Sequence, residues 1–329
     1  MRILRIALPV IIGVGLTAIM FYKEFDAKAF AQIRFTWMNI ISAVIAIILM
    51  FGRDLGLSWR MRLMCRPHKL TWPDALKENL LCEFSSATTP SAVGGAGLIA
   101  LYLKAYGIPA GKGVAITITT VFLDELFFII VCPVMFLFFD SSELFGKFSG
   151  VSYFFIPIYI LFAVWTGILY VAIFIRPNLI CSILLGIFSI RPLRRWRHKI
   201  KRLTKDLRTS AKEMKKMPNI FWAKSLLATS ISWTCRFLVA GSLLAPFIPV
   251  GEQTIAFARQ LLMWIVMQIS PTPGGSGISE YVFSTYYSSM VTNASAMLMI
   301  TCLWRLITYY AYLIGGLIIL PGWIKKFKS

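Results

Sequence analysis

The sequence predicts an all-α polytopic membrane protein with about six full spans and two opposed re-entrant segments in which a helix breaks. Of its 329 residues, 58% are hydrophobic and 15% are charged, whereas soluble domains average about 45–50% and about 25%. The mean hydropathy is +0.73, and the apolar residues fall in runs long enough to cross a bilayer. This composition excludes a soluble enzyme, a disordered tail and a disulfide scaffold.

The net charge and the small numbers of cysteine and histidine indicate which partners and sites this membrane protein has. Lysine and arginine number 34 against 14 acidic residues, which gives a net charge of +20. In a membrane protein this surplus indicates basic cytoplasmic surfaces that contact anionic lipid rather than nucleic acid. The six cysteines are scattered without a C-x-x-C spacing, and only two histidines are present. We therefore expect no metal site, no cofactor and no disulfide framework.

The first two apolar runs set the orientation of the chain. The apolar run at residues 4–22 begins beside Arg2 and Arg5. This run is long for a signal peptide and has no small-residue cleavage site after it, so we interpret it as a retained first span. Residues 37–57 form the second span, and the segment 60–69 after it is basic. The positive-inside rule therefore places the amino terminus and this loop in the cytoplasm.

The remaining apolar runs predict four more spans and two shorter helices. The spans cover residues 114–139, 154–175, 220–247 and 294–320, and the shorter helices cover residues 71–84 and 254–269. Thr71 followed by Asp74 resembles a capping box, which starts the first short helix at the cytoplasmic interface. Three lysines between 325 and 328 place the carboxyl terminus in the cytoplasm as well.

A basic segment lies between the fourth and fifth spans. Residues 191–217 contain 12 lysines and arginines against two acidic residues, and their apolar residues recur every three or four positions. We interpret this pattern as a basic amphipathic helix on the inner membrane surface. The alternative is a solvated helix whose apolar side packs on the protein itself.

Two glycine clusters indicate an inverted internal repeat. Residues 94–97 read Gly-Gly-Ala-Gly and residues 274–277 read Gly-Gly-Ser-Gly, an offset of 180 positions. The same offset superposes the second span on the fifth and the third on the last. Loop charges give the two copies opposite directions, which is typical of transporters built around a polar cavity at the bilayer midplane. Two ordinary helix kinks are the alternative interpretation.

The chain is therefore predicted to form a single integral membrane domain over residues 1–329. Its parts are a first span and outer loop (1–36), a first repeat (37–139), a connecting span (140–190), the basic amphipathic helix (191–217) and a second repeat (218–320).

Charged residues inside the apolar runs are candidates for the polar cavity. Glu125 follows the first glycine cluster at the same interval at which Arg305 follows the second. An unpaired charge in lipid costs at least roughly 2.5–3.5 kcal/mol, so we expect Glu125, with Asp124, to face Arg305 or Arg236. Glu280 is a further buried candidate. A structural ion-pair network and a functional site explain these charges about equally well.

One stretch of the sequence is similar to a known family. Residues 271–280 read P-x-P-G-G-x-G-x-x-E, Arg305 begins an R-x-x-T-Y-Y string that precedes two glycines, and Pro90 begins a looser P-x-x-x-G-G. Together these motifs resemble the lysylphosphatidylglycerol synthase transmembrane-region family, also called flippase-like or UPF0104 proteins. The resemblance implies an integral inner-membrane protein that moves or presents lipids such as aminoacylated phosphatidylglycerol, hopanoids or polyprenyl-phosphate-linked sugars. Lysylphosphatidylglycerol synthases carry a soluble aminoacyl-transfer domain after this region, whereas this sequence ends at Ser329, so we expect no synthase activity.

The function expected from these features is lipid translocation. An anionic or phosphate-bearing head group would cross the bilayer through the midplane cavity, held by arginine and by backbone N–H groups at the helix breaks. The candidate lipid-binding residues are Arg236, Arg305, Glu280, Glu125, Asp124, Pro90, Gly94, Gly95, Pro271, Pro273, Gly274, Gly275, Ser276 and Gly277.

Two other functions remain open at this point. The chain could be a non-catalytic lipid-binding scaffold or subunit that serves a separate lipid-modifying enzyme. An intramembrane enzyme is the third hypothesis, because residues 274–277 match the G-x-S-G string of rhomboid-type proteases. That chemistry needs a base beside Ser276, and both His68 and His198 lie in basic inner loops. We expect a multi-pass protein of the bacterial inner membrane, with membrane lipids as partners.

Overall fold

The computed structural model describes residues 36–328 with short gaps. The gaps fall at 69, 90–92, 147–151, 177, 179–180, 183–184, 187–188, 190–196, 269, 271 and 273. The predicted first span at 4–22 lies outside the described residues. Within the described ranges the secondary structure is helical, with no strand. The all-α prediction is confirmed for this part of the chain.

Twelve α-helices are assigned in the described ranges. Their bounds are α1 Trp37–Met64, α2 Trp72–Thr88, α3 Val93–Lys104, α4 Ala110–Phe138, α5 Ser141–Phe145, α6 Ser152–Tyr170, α7 Arg197–Lys215, α8 Asn219–Leu244, α9 Gln253–Met267, α10 Ile278–Tyr287, α11 Ala294–Arg305 and α12 Ala311–Lys328. A π-helical turn extends α6 over Val171–Ile175, and another joins α11 to α12 over Leu306–Tyr310.

Five of the described helices are long and apolar enough to cross a membrane. They are α1, α4, the α6 segment Phe155–Ile175, α8 and the continuous α11–α12 segment Ala294–Lys325. The 28 residues of α1 extend about 42 Å at the helical rise of about 1.5 Å per residue, which exceeds the ~30 Å hydrocarbon core. Large apolar side chains such as Ile48, Leu137 and Leu161 are exposed on these helices, as a lipid-facing surface requires.

Helices α1 and α8 pack against each other in opposite directions. The Ser242 hydroxyl donates to the Ser42 carbonyl at 2.8 Å near one end of the pair. Towards the other end, a Cβ added to Gly56 would lie 2.8 Å from the Ala228 carbonyl oxygen. Small residues therefore bring the two backbones into direct contact, which is how membrane helices gain packing energy without a hydrophobic driving force.

Two helix hairpins meet at their tips beside this pair. The first hairpin consists of α2 and α3, and the second consists of α9 and α10. The Gly274 N–H donates to the Thr89 carbonyl at 3.3 Å. The Tyr309 hydroxyl donates to the Ala87 carbonyl at 3.1 Å. The end of the first hairpin's α2 is thus in direct contact with the second glycine cluster. The first glycine cluster itself is helical and begins α3, so the predicted break at 94–97 is wrong for the cluster and lies before it.

The basic helix α7 packs on the protein rather than presenting its apolar side to lipid. Leu207, Ala211 and Met214 are buried, and the Thr119 hydroxyl of α4 donates to the Met214 sulfur at 3.2 Å. The cationic side chains of the described part of this helix, such as Arg208, are exposed. The described apolar side chains of this helix therefore pack on the protein, as in the alternative interpretation of the basic segment, and its position at the membrane surface stays a prediction.

Candidate functional site

A cavity opens where the two hairpin tips meet. It encloses about 880 Å³ of empty space, counting its mouth. Helix α2 contributes Glu83 and Ser86, α8 contributes Arg236, and the second hairpin with the α11–α12 segment contributes most of the remaining lining. The aromatic lining residues are Trp264, Trp304, Tyr309 and Tyr312. The cavity therefore combines apolar walls with a small number of charged groups, the usual composition of a ligand pocket.

The second helix break depends on glycine. Gly274, Gly275 and Gly277 have φ angles of 57°, 68° and 81°, a region that other residues rarely adopt. A Cβ on Gly274 would also collide with the ring of Tyr309 and lie 3.0 Å from the Ala87 carbonyl oxygen. All three positions favour glycine because of their positive φ angles, and Gly274 also lies directly against the first hairpin at Ala87.

A buried ion pair fixes this second break. The Arg305 Nε donates to Glu280 Oε1 at 2.7 Å. The other Glu280 oxygen accepts the Gly277 N–H at 2.7 Å and the Ser279 hydroxyl at 2.8 Å. Arg305 also donates to the Gly274 carbonyl at 2.8 Å. The two charges are satisfied mainly by each other and by the break itself, so this pair holds the turn in shape.

The first break is built differently. The Gly95 N–H donates to the Ser86 hydroxyl at 3.1 Å, and a Cβ on Gly95 would collide with this hydroxyl and with the Cys82 carbonyl. Glycine is therefore needed here for close packing of α2 against α3. Gly94 lies in the first turn of α3. Pro90 lies outside the described residues, as do Pro271 and Pro273 of the second break.

A second charged cluster lies between the first hairpin and the α1–α8 pair. Arg53 donates to Glu83 Oε1 at 2.5 Å and to Asp54 at 2.9 Å. The Tyr312 hydroxyl donates to both Asp54 oxygens at 2.9 Å. One Arg236 nitrogen lies 3.6 Å from Glu83 Oε2, which is too long for a hydrogen bond.

The cluster lies near the middle of α1. Arg53 is about 24 Å along the helix from Trp37 and about 17 Å from Met64, at a rise of about 1.5 Å per residue. A Cβ on the neighbouring Gly52 would lie 3.2 Å from the Cys235 sulfur, so Arg236 lies at the same depth as Arg53. Both arginines are therefore far from either end of the helix pair.

The predicted pairing of Glu125 and Asp124 with Arg305 or Arg236 is wrong. Asp124 accepts two hydrogen bonds from Arg60, at 2.5 and 3.1 Å. Glu125 accepts from the Trp165 ring N–H at 3.1 Å and from the Thr166 hydroxyl at 2.9 Å. Successive helical residues point about 100° apart, so the two carboxylates face different neighbours, and neither lines the cavity.

The environment of Ser276 is that of a buried residue that joins two parts of the fold. Its side chain is fully buried, and its hydroxyl donates to the Tyr309 hydroxyl at 3.1 Å. Of the two histidines, His68 follows α1 and His198 lies in α7, whereas Ser276 belongs to the second break. The serine therefore links the second break to the α11–α12 segment.

Sequence reasoning missed several residues of the site. Glu83 and Tyr312 line the cavity, and Arg53 with Asp54 supports Glu83. Arg53 and Asp54 lie inside the predicted second span. Their position could have marked them as site residues, because placing a charge within the bilayer is energetically unfavourable unless the charge has a partner. Glu83 stands at the end of a short helix that the sequence places at the membrane interface, so its position carries no such signal.

The fold and the cavity together define the class of the protein. The described residues form five helices long and apolar enough to cross a membrane and two hairpins whose tips border a partly polar cavity, so the chain is a multi-pass helical membrane protein. Residues 6–316 match the family model described as the lysylphosphatidylglycerol synthase TM region, and the chain belongs to this family. A UPF0104 membrane protein from Archaeoglobus fulgidus is 25% identical over 325 residues, covering 94% of each chain. The family resemblance in the sequence is thereby confirmed.

Proposed function

We propose that the protein is a lipid translocase that moves or presents an anionic, phosphate-bearing lipid, and that it has no enzymatic activity of its own. The head group would enter the cavity between the two hairpin tips while the acyl or prenyl chains remain in the bilayer. The observation that carries this proposal is the presence of two arginines, Arg236 and Arg305, in the wall of one cavity at mid-helix depth. Arginine suits phosphate because its guanidinium donates two parallel hydrogen bonds.

The arrangement of the repeats supports a transport route. Helices α1 and α8 correspond by the 180-residue offset and run in opposite directions, as an inverted repeat requires. Each hairpin then inserts from its own side of the membrane, and the broken backbone is tolerated at depth because protein and a polar cavity surround it. The proposal places the protein in the inner membrane with both termini in the cytoplasm.

Reconstitution tests the proposal directly. Purified protein is placed in vesicles that contain fluorescent nitrobenzoxadiazole-phosphatidylglycerol, and dithionite added outside destroys the label in the outer leaflet only. We expect the protein to make the inner-leaflet label accessible and Arg236→Gln to slow this by about tenfold or more. The matched control is Arg62→Gln, because Arg62 binds the Leu70 carbonyl and does not line the cavity.

The same assay distinguishes the alternatives. Specific binding of the labelled lipid without any exchange between leaflets would favour a lipid-binding scaffold. If lipid exchange is equally fast in Arg236→Gln and in the unmodified protein, the lipid head group does not pass through this cavity. A chemically altered lipid recovered from the vesicles would indicate an enzyme instead.

A further inference from the structure

We infer that Glu83 is an internal counter-ion that the lipid's anionic group displaces from Arg236. This inference rests on the proposed function and assigns different roles to the two cavity arginines. In it, Arg236 binds the head group, Arg305 maintains the second break, and Glu83 competes with the bound anion for Arg236.

The two arginines differ in how their donors are used. Arg305 gives its Nε to Glu280 and another nitrogen to the Gly274 carbonyl. Arg236, in contrast, has a buried terminal nitrogen without a hydrogen-bond partner among the residues that the structure describes. Its guanidinium is held over the Trp264 ring, 4.4 Å from the ring centroid. A buried N–H without a partner is unfavourable, so an arriving anion gains a strong donor there.

Glu83 is placed to compete for this donor. Its Oε2 lies 3.6 Å from the Arg236 nitrogen, and its side chain is 24% exposed in the wall of the same cavity. Its other oxygen accepts from Arg53 at 2.5 Å. When an anion takes Arg236, Glu83 therefore keeps Arg53 as a partner and need not leave the site.

Charge balance makes this competition reversible. Two arginines, Arg53 and Arg236, face two carboxylates, Asp54 and Glu83, so the ionised cluster is neutral without a ligand. An added anion gives the cluster a charge of −1, which opposes permanent binding. A translocase needs such a limit, because a head group held too tightly would not leave on the far side.

A binding experiment isolates the role of Glu83. Purified protein in dodecyl maltoside is titrated with nitrobenzoxadiazole-phosphatidylglycerol, and with the phosphatidylcholine analogue as the lipid of zero net charge. We expect Glu83→Gln to bind the anionic lipid about tenfold more tightly and to leave phosphatidylcholine binding unchanged. In vesicles the same variant is expected to move the lipid more slowly, a combination that simple structural damage would not produce.

Two control variants separate competition from a general change of charge. Asp140→Asn removes an exposed carboxylate outside the cavity and should leave the affinity unchanged. Asp54→Asn removes a carboxylate of the same cluster that does not line the cavity, and we expect a gain below about threefold. An equal gain in Asp54→Asn and Glu83→Gln would overturn the inference in favour of nonspecific electrostatics.

The remaining outcomes also decide the question. Unchanged or weaker binding in a folded Glu83→Gln protein overturns the role of Glu83. If that variant unfolds, Glu83→Asp is measured instead, because it keeps the negative charge but moves it away from Arg236. An unchanged affinity for the anionic lipid in Glu83→Asp would also overturn the role of Glu83. Failure of the unmodified protein to prefer phosphatidylglycerol over phosphatidylcholine would instead contradict the proposed function itself.

Discussion

The two helix breaks share a glycine pattern and a position in the repeat, yet they are held by different forces. The second break combines three left-handed glycines with the buried pair of Glu280 and Arg305. The first break relies on close packing of Gly95 against α2, and its carboxylate Glu83 reaches the arginines of α1 and α8. The difference shows that a repeated glycine pattern does not imply repeated contacts. The carboxylate of the second break pairs within that break, whereas the carboxylate of the first break reaches arginines of other helices.

The largest effect is expected from removal of an arginine at the second break. Arg305→Ala leaves Glu280 buried without its partner, which costs about 3–5 kcal/mol for such pairs. Arg236→Ala should cost less, about 1–2 kcal/mol, because the lost contact is mainly the cation–π contact with Trp264. Unfolding in detergent with increasing denaturant measures both values. Equal losses would contradict the contrast between a structural and a ligand-binding arginine.

The glycine turn gives the next largest effect. Gly274→Ala should lower the free energy of unfolding by about 1–3 kcal/mol, because alanine is strained at a φ of 57° and its methyl group meets Tyr309. The matched control beside the first break is Gly97→Ala. Gly97 is helical, and a Cβ there meets nothing within 4 Å, so this change should be neutral or stabilise by up to about 1 kcal/mol. Thermal unfolding of the two variants in the same detergent provides the comparison.

The hydroxyl of Tyr309 connects the two breaks, and its loss should have a smaller effect. This hydroxyl accepts from Ser276 and donates to the Ala87 carbonyl. Tyr309→Phe removes both hydrogen bonds while keeping the ring, so we expect a loss of about 0.5–1.5 kcal/mol. Hydrogen exchange of the Ala87–Thr89 backbone should rise in the same variant. Exchange that is unchanged there would argue that the breaks are not held together by this residue.

The smallest quantity is expected for the coupling energy between Glu125 and Arg305, measured by a charge swap between the repeats. Glu125 and Arg305 have separate partners, so their substitutions should be additive within about 0.5 kcal/mol. The double variant Glu125→Arg with Arg305→Glu is therefore expected to lose as much free energy of unfolding as the two single variants lose together. Rescue by the swap, measured in a double-mutant cycle, would mean that the two residues pair after all.

Much of the architecture could be predicted from the sequence because it depends on local properties. Apolar runs long enough to cross a bilayer located each of the five described spans. The 274–277 cluster located the second break, since few residues other than glycine adopt the positive φ angles found there. The 94–97 cluster indicated only the neighbourhood of the first break, because it lies inside α3 and its Gly95 serves close packing against α2. Glu280 could be recognised as a buried candidate because it directly follows the second glycine cluster, whereas its pairing with Arg305 was not predicted.

The pairing of charges could not be predicted in the same way. A symmetric offset relates Glu125 to Arg305, but the rotation of each helix decides which neighbour a side chain meets. Arg305 pairs instead with Glu280, which belongs to the same repeat. The location of Glu83 depends on how α2 leans against α1 and α8, which is a property of the assembled fold.

The contact between α1 and α8 limits how the molecule can change shape. Gly56 lies against the Ala228 carbonyl and Ser242 is bonded to Ser42, so the two helices are closely packed at both points. Under the proposed translocase function, we expect the cavity to open to the two leaflets by tilting of the hairpins against the α1–α8 pair. Substituting Gly52 with cysteine would set two thiols face to face at Cys235, and a bridge formed there should leave lipid exchange intact.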